Sequence, residues 1–210
     1  MIMLPKERRT MENQIIYFMK RLCDANLTTS LGGNISYKTD DGKIIITPSS
    51  IDKACLTLSD LVILNTKGEV LAGRHEPSME YMMHVMVYQQ RPDVNAVIHA
   101  HPFYSTMFSA SEKEINLTFT SEACKNIKHV GIAKYQMMGT LDLAKEVARV
   151  SKTDNVILLE NHGVLTTGKD LLQAFYRMEV LEQAAKMTWH SLLLSMKELP
   201  PDEIRYLKSL

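Results

Sequence analysis

The chain has 210 residues, 45% hydrophobic and 23% charged, and its 24 basic and 24 acidic side chains cancel. That balance matches an ordinary globular protein and excludes a dominant field for nucleic acid or membrane, while leaving room for a local pocket for one small anion. Three widely spaced cysteines, Cys23, Cys55 and Cys124, form no C-x-x-C pair, so neither a disulfide framework nor a thiolate zinc site is expected, and a reducing cytoplasm is the expected setting.

The first ten residues, MIMLPKERRT, are too short and too charged for a signal peptide, and no run approaches the roughly 20 apolar residues of a membrane helix. Pro5 can open a helix in which Ile15, Ile16, Met19, Leu22 and Cys23 recur at helical spacing, ending near Asn26. A loop with Gly32 and Gly33 follows. Residues 34–38 and 43–47 then read as a hairpin across Asp40-Asp41-Gly42, and residues 61–65 and 69–71 as a second around Lys67-Gly68. Residues 79–90 are predicted helical, with Met82, Met83, Met86 and Val87 on the apolar face. A branched apolar strand, VNAVIHAH, comes next, and Pro102 can start the helix after it.

Further along, residues 130–133 read as a strand and 141–151 as a helix. Residues 156–159 and 164–167 read as strands around an Asn161-His162-Gly163 corner. Residues 169–196 form one long predicted helix, with Gly168 and Asp170 near its start. Helices interleave with hairpins and no stretch resembles a linker. The expectation is therefore an α/β fold, a single domain over residues 1–210 with a mixed, largely antiparallel central sheet flanked by helices.

Alternate residues of a strand share a face, so His99 and His101 converge from the strand end, an arrangement suited to a divalent transition metal. Burying two imidazoles on one face without partners is costly. His162, between a second branched strand and a glycine, is the third candidate ligand. His75, His84, His129 and His190 lack strand-end pairing and read as structural or solvated, His84 standing one helical turn beyond Glu80. Glu80 opens a predicted helix, where a carboxylate either serves the macrodipole or, near a metal, binds it or shuttles a proton. The segments SLGGNIS (30–36) and TPSS (47–50), together with Ser78, offer neutral donors able to cradle a phosphate, although either loop alone reads equally as a turn.

As an ordered set, these segments resemble the class II aldolase/adducin family, in its L-fuculose-1-phosphate aldolase branch. The matching pieces are GGNIS (32–36), TPSS (47–50), EPSME (76–80), YQQRPDVNAVIHAHP (88–102), ENHGVLTTG (160–168) and YRMEVLEQA (176–184), spread from about residue 10 to 190. The resemblance implies a three-layer class II aldolase fold and a zinc ion, or another divalent metal, on His99, His101 and His162. It puts Glu80 at the catalytic acid/base position, where the family carboxylate also ligates the resting metal and swings away when substrate binds. It puts Gly33, Asn34, Ser49, Ser50 and Ser78 at substrate-phosphate positions.

The activity implied is reversible cleavage of a ketose 1-phosphate to dihydroxyacetone phosphate and a small aldehyde such as L-lactaldehyde. A homotetramer with active sites near subunit interfaces is implied as well. The chain departs from the branch at Met79, where a serine is usual, and at Leu31, where a threonine is usual. Phe119 and Thr120 are the nearest equivalents of a branch tyrosine, and Tyr206 lies in a shorter tail. The same family includes pentulose-phosphate 4-epimerases, methylthioribulose-phosphate dehydratases, oxo-tetronate-phosphate decarboxylases and the non-catalytic adducin-like scaffold. Glu80 stands where the epimerases carry aspartate, and the three histidines with Glu80 argue against the scaffold.

Overall fold

A computed structural model describes residues 10–210. Among these residues eight strands form one sheet: β1 (Asn34–Lys38), β2 (Ile44–Ile46), β3 (Val62–Leu64), β4 (Val70–Ala72), β5 (Ala96–Ala100), β6 (Gly131–Ala133), β7 (Val156–Leu159) and β8 (Gly163–Gly168). Their spatial order is β4-β3-β2-β1-β5-β8-β7-β6. Every neighbouring pair is antiparallel except β6 with β7. The helices are α1 (Met11–Asp24), α2 (Tyr81–Gln90), α3 (Phe103–Ser109), α4 (Ser121–Asn126), α5 (Leu141–Ser151), α6 (Leu171–Ser191) and α7 (Pro201–Ser209). The expected mixed, largely antiparallel sheet flanked by helices is thus the architecture observed. No helix among the described residues is long and apolar enough to cross a membrane.

Strand parity sorts the apolar side chains into two cores. Ile35, Ile45, Ala96, Ile98, Ala100, Leu158 and Val164 join the core under α1, α3 and α6. Ile44, Ile46, Val97, Ile157, Leu159 and Leu165 join the core under α2 and α5. β5 and β8 are buried along their whole length, so both read as near-continuous apolar runs. The buried hydroxyls they carry are satisfied: Thr166 donates to the Ala174 carbonyl and Thr167 to Asn155 Oδ1. His99 takes the parity of Val97 and pairs with Asn34 across β1 and with Leu165 across β8.

Helix ends differ from the sequence pattern for local reasons. Pro5 lies outside the described residues; within them α1 starts after Thr10, whose hydroxyl accepts from the Asn13 amide. α2 begins at Tyr81 rather than Met79, because Glu80 has the non-helical φ, ψ of an N-cap. α6 starts after Asp170, which caps the Gln173 amide, and ends at Ser191, five residues short of the expected Met196. α4 and α7 have no counterpart in the hydrophobic pattern: α4 buries only Ala123 and Cys124, and α7, which packs on α4, buries nothing.

Phe175 is fully buried under α1, its ring 5.2 Å from that of Phe18 and 4.2 Å beneath the Arg21 guanidinium. Phe175→Ala should therefore cost about 3–5 kcal/mol in denaturant unfolding. A cost below about 1 kcal/mol would mean this core relaxes to fill the space.

Candidate functional site

Three histidines from two segments meet at one end of the central strands. β5 stops at Ala100, so His101 lies one residue past the strand that was expected to carry it; its backbone amide donates instead to the Leu27 carbonyl. The ring still faces His99, with centroids 4.7 Å apart. His162 comes from the turn between β7 and β8, where Asn161 adopts φ +55 and donates to the Ser109 carbonyl. The ligand nitrogens of His99, His101 and His162 all lie within 4.8 Å of one another.

Two glycines make this convergence possible. A Cβ on Gly163 would stand 2.6 Å from His101 Cδ2 and 2.7 Å from the Ala100 carbonyl oxygen. One on Gly32 would stand 2.9 Å from His101 Nδ1. Only hydrogen fits at those points.

Glu80 closes the cluster from the start of α2. Its Oε2 lies 3.1 Å from His99 Nε2 and its Oε1 3.2 Å from His162 Nε2. Burial pushes the Glu80 carboxyl up, but the adjacent His99 and His162 and the Asn34 amide outweigh it and hold the group well below the usual carboxylate range. Burial, reinforced by His99, lowers His101 to about 3 and His162 to about 4, so both rings are neutral at physiological pH. His99 Nδ1 is set against the Val164 carbonyl at 2.9 Å, which leaves Nε2 to face the cluster.

His99 Nε2 and Glu80 Oε1, both facing into the cluster, are buried without a hydrogen-bond partner. Buried polar atoms are normally satisfied, and lone pairs gathered around a carboxylate are what a divalent cation satisfies. The donor set, three imidazoles with one carboxylate, fits such an ion.

The other expected site residues lie on three loops stitched together beside this cluster. Gly33, with φ +70, precedes Asn34 at the start of β1. The 47–50 and 76–78 segments are joined by a bridge between Pro48 and Pro77, by Ser49 N–H to the Glu76 carbonyl and by Ser78 N–H to the Thr47 carbonyl. The Thr47 hydroxyl accepts from the Ile35 amide, which ties both to β1. Ser49 and Ser50 place their hydroxyls 3.4 Å apart, Ser50 with φ +55. Ser78 is buried and its hydroxyl accepts from the Glu80 amide.

Lys53 and the contacts that Asn34 makes had no clear signal in the sequence. Lys53, only 2% exposed, donates to the Pro48 carbonyl, so an ammonium stands directly before the Ser49-Ser50 turn. Asn34 directs its amide to Glu80 Oε2 at 3.2 Å and its carbonyl oxygen to His84. One residue of the sequence reading lies elsewhere: Tyr206 stands exposed on α7.

A family model for the Class II Aldolase and Adducin N-terminal domain matches residues 13–189. An L-fuculose phosphate aldolase of Methanocaldococcus jannaschii is 38% identical over 183 residues, covering 87% of this chain and 98% of the relative. A 5-deoxy-D-ribulose 1-phosphate aldolase of Bacillus thuringiensis serovar kurstaki is 31% identical over 208 residues, covering 98% and 95%. Among solved structures, an L-fuculose 1-phosphate aldolase superposes with a TM-score of 0.86 at 30% identity, over 99% of this chain and 97% of that one.

The clearance at Gly163 is directly testable. Gly163→Ala should displace the His101 ring and weaken the cluster's hold on an added divalent transition metal by about tenfold or more in competition with a chromogenic chelator. Unchanged metal affinity would mean that the ring is free to retreat.

Proposed function

The chain belongs to the class II aldolase and adducin family, as an aldehyde-lyase of that family, and from that premise we propose that it cleaves a ketose 1-phosphate such as L-fuculose 1-phosphate. The products are dihydroxyacetone phosphate and a small aldehyde, L-lactaldehyde in the fuculose case. The whole of residues 1–210 is taken as one such domain. The observation that carries this reading is the buried meeting of His99, His101 and His162 with the Glu80 carboxylate, next to the joined 33–34, 47–50 and 76–78 loops.

Enzymes of this class are metal-dependent, and we assign a zinc ion to His99, His101 and His162, with Glu80 as the further ligand. When bound, the ion supplies Lewis-acid polarisation of the ketose oxygens. Glu80 handles the proton. As the C3–C4 bond breaks, its electron pair stays with C3 and the C4 hydroxyl passes its proton to water, leaving the aldehyde. Glu80, ionised at rest, takes a proton from water and delivers it to C3, so the proton count is unchanged. We assign the transfer at C3 to Glu80, which in condensation removes that same proton as a carboxylate. Gly33, Ser49, Ser50 and Ser78 are assigned to the phosphate, bound by neutral donors; Asn34, expected with them, has its side chain engaged by Glu80 and His84 and is left to that role. Lys53, close behind the serine turn, adds positive potential there.

The aldehyde half of the substrate is the part on which the most similar relatives differ, so a 5-deoxypentulose 1-phosphate is kept beside fuculose phosphate. We further propose a cytoplasmic homotetramer with its sites near subunit interfaces. Met79, next to Glu80, is exposed and lies against Gly139, whose neighbours Met137 and Met138 are exposed too. An apolar patch at the rim of a buried site favours coverage by another subunit.

Incubation of the zinc-loaded protein with a panel of ketose 1-phosphates should release dihydroxyacetone phosphate. Consumption of substrate without it would instead indicate an epimerase, dehydratase or decarboxylase. A folded protein that takes up no zinc would point to a scaffold. Glu80→Gln should keep a folded, zinc-competent protein but slow hydrogen exchange at C3 of dihydroxyacetone phosphate by about 10²–10⁴-fold, followed by NMR in D₂O. Unchanged exchange would move the proton-transfer role to another group.

A further inference from the structure

From Glu80 a buried chain of polar groups runs back into the protein, and the mechanism above leaves its His84, Ser36 and Tyr88 unused. Glu80, His84 and Tyr88 follow one another at four-residue spacing along one face of α2. Asn34 and Ser36 share one face of β1 at two-residue spacing. The two rows interlock. Asn34 Nδ2 lies 3.2 Å from Glu80 Oε2, Asn34 Oδ1 lies 2.5 Å from His84 Nε2, His84 Nδ1 lies 2.7 Å from Ser36 Oγ, and Ser36 Oγ lies 2.7 Å from the Tyr88 hydroxyl. Asn34, Ser36, His84 and Tyr88 are all buried.

Such a chain has two possible polarities, and the charge on Glu80 selects one. An ionised carboxylate only accepts hydrogen bonds, so the neighbouring Asn34 must turn its NH₂ toward it. The Asn34 carbonyl oxygen then faces His84 and requires a donor. A neutral imidazole has one N–H, and it must sit on Nε2. Nδ1 is left bare and accepts a hydrogen bond from the Ser36 hydroxyl, and Ser36 Oγ in turn accepts from Tyr88. The opposite polarity would set the amide oxygen against the carboxylate, two buried acceptors facing each other. Burial lowers His84 to about 3 and pushes the Tyr88 hydroxyl well up, so neither of these two groups changes its proton near neutral pH.

We propose that His84 is a positioning residue: by donating from Nε2 to Asn34 Oδ1 it fixes the Asn34 amide, which holds Glu80 Oε2 in place for proton transfer. The inference rests on the assignment of proton transfer to Glu80. Without His84 the Asn34 amide would be held from the carboxylate side only and could tilt away from it; His84 fixes it from the other side. Ser36 and Tyr88 act one step further back, by holding the imidazole in the tautomer that Asn34 needs.

The test separates a donor at Nε2 from mere filling of space. His84→Gln keeps an amide near the Nε2 position, whereas His84→Asn keeps one only near Nδ1, beside Ser36. In the zinc-loaded protein, His84→Asn should lower kcat for C3 hydrogen exchange on dihydroxyacetone phosphate by about 10- to 100-fold with KM within about threefold, and His84→Gln should stay within about threefold of the unmutated protein. Equal losses in the two variants, or a change confined to KM, would overturn the proposal. Nitrogen-15 shifts of the histidine rings in the unmutated, zinc-loaded protein decide the same point without a variant that must fold. They should report His84 as neutral and protonated on Nε2; protonation on Nδ1, or on both nitrogens, overturns it. Should the unmutated protein show no exchange at all, the Glu80 assignment fails while the tautomer still decides the role of His84.

Discussion

The negative charge of Glu80, held out of water among imidazoles, is the constraint on which the site depends. A buried carboxylate is costly unless every nearby group is arranged to receive it. Here His99 and His162 approach it from two strand ends and Asn34 from a third. The same charge sets the direction of each hydrogen bond back to Tyr88. Much of the polar architecture around α2 and β1 follows from one ionised group.

Bringing these groups together depends on the sheet. β5 and β8 run side by side in its centre and are covered on both faces, so their ends are held by packing from two cores. His101 and His162 leave those ends through short turns. Each turn works only because a glycine leaves room: Gly32 and Gly163 lie where any side chain would meet His101. The loops carrying Ser49, Ser50 and Ser78 are fixed by backbone bonds to one another and, through Thr47, to β1. Site precision therefore comes from the central strands and from glycines rather than from long loops.

Much of this was legible in the sequence. The H-x-H at the end of a branched apolar run, the glycine after His162 and the serine-bearing loops each carry a local pattern, and the strands and hairpins follow from alternation and turn residues. Where the structure departs, the cause is a contact between distant segments or a helix with little to bury. Glu80 is an N-cap rather than a first-turn residue, since its side chain is drawn toward the imidazoles and makes no cap bond. α4 and α7 rest on each other and bury almost nothing, so no apolar period announces them. The spacing of Glu80, His84 and Tyr88 is a visible stripe of polar groups, yet on its own it reads as an ordinary helix face.

The sequence by itself determined the strand parity, the two hairpins, the family and the identity of the three histidines with Glu80, because each rests on spacing along the chain or on ordered motifs. Only the tertiary structure decided that Asn34 pairs with His84, that Lys53 is buried beside the serine turn and that two glycines clear space for one imidazole. The first and last of those relations join residues tens of positions apart, and the meaning of all three lies in which atom faces which. A linear pattern records which groups are present, but the direction of a hydrogen bond is set only once a buried charge and its neighbours are fixed in space.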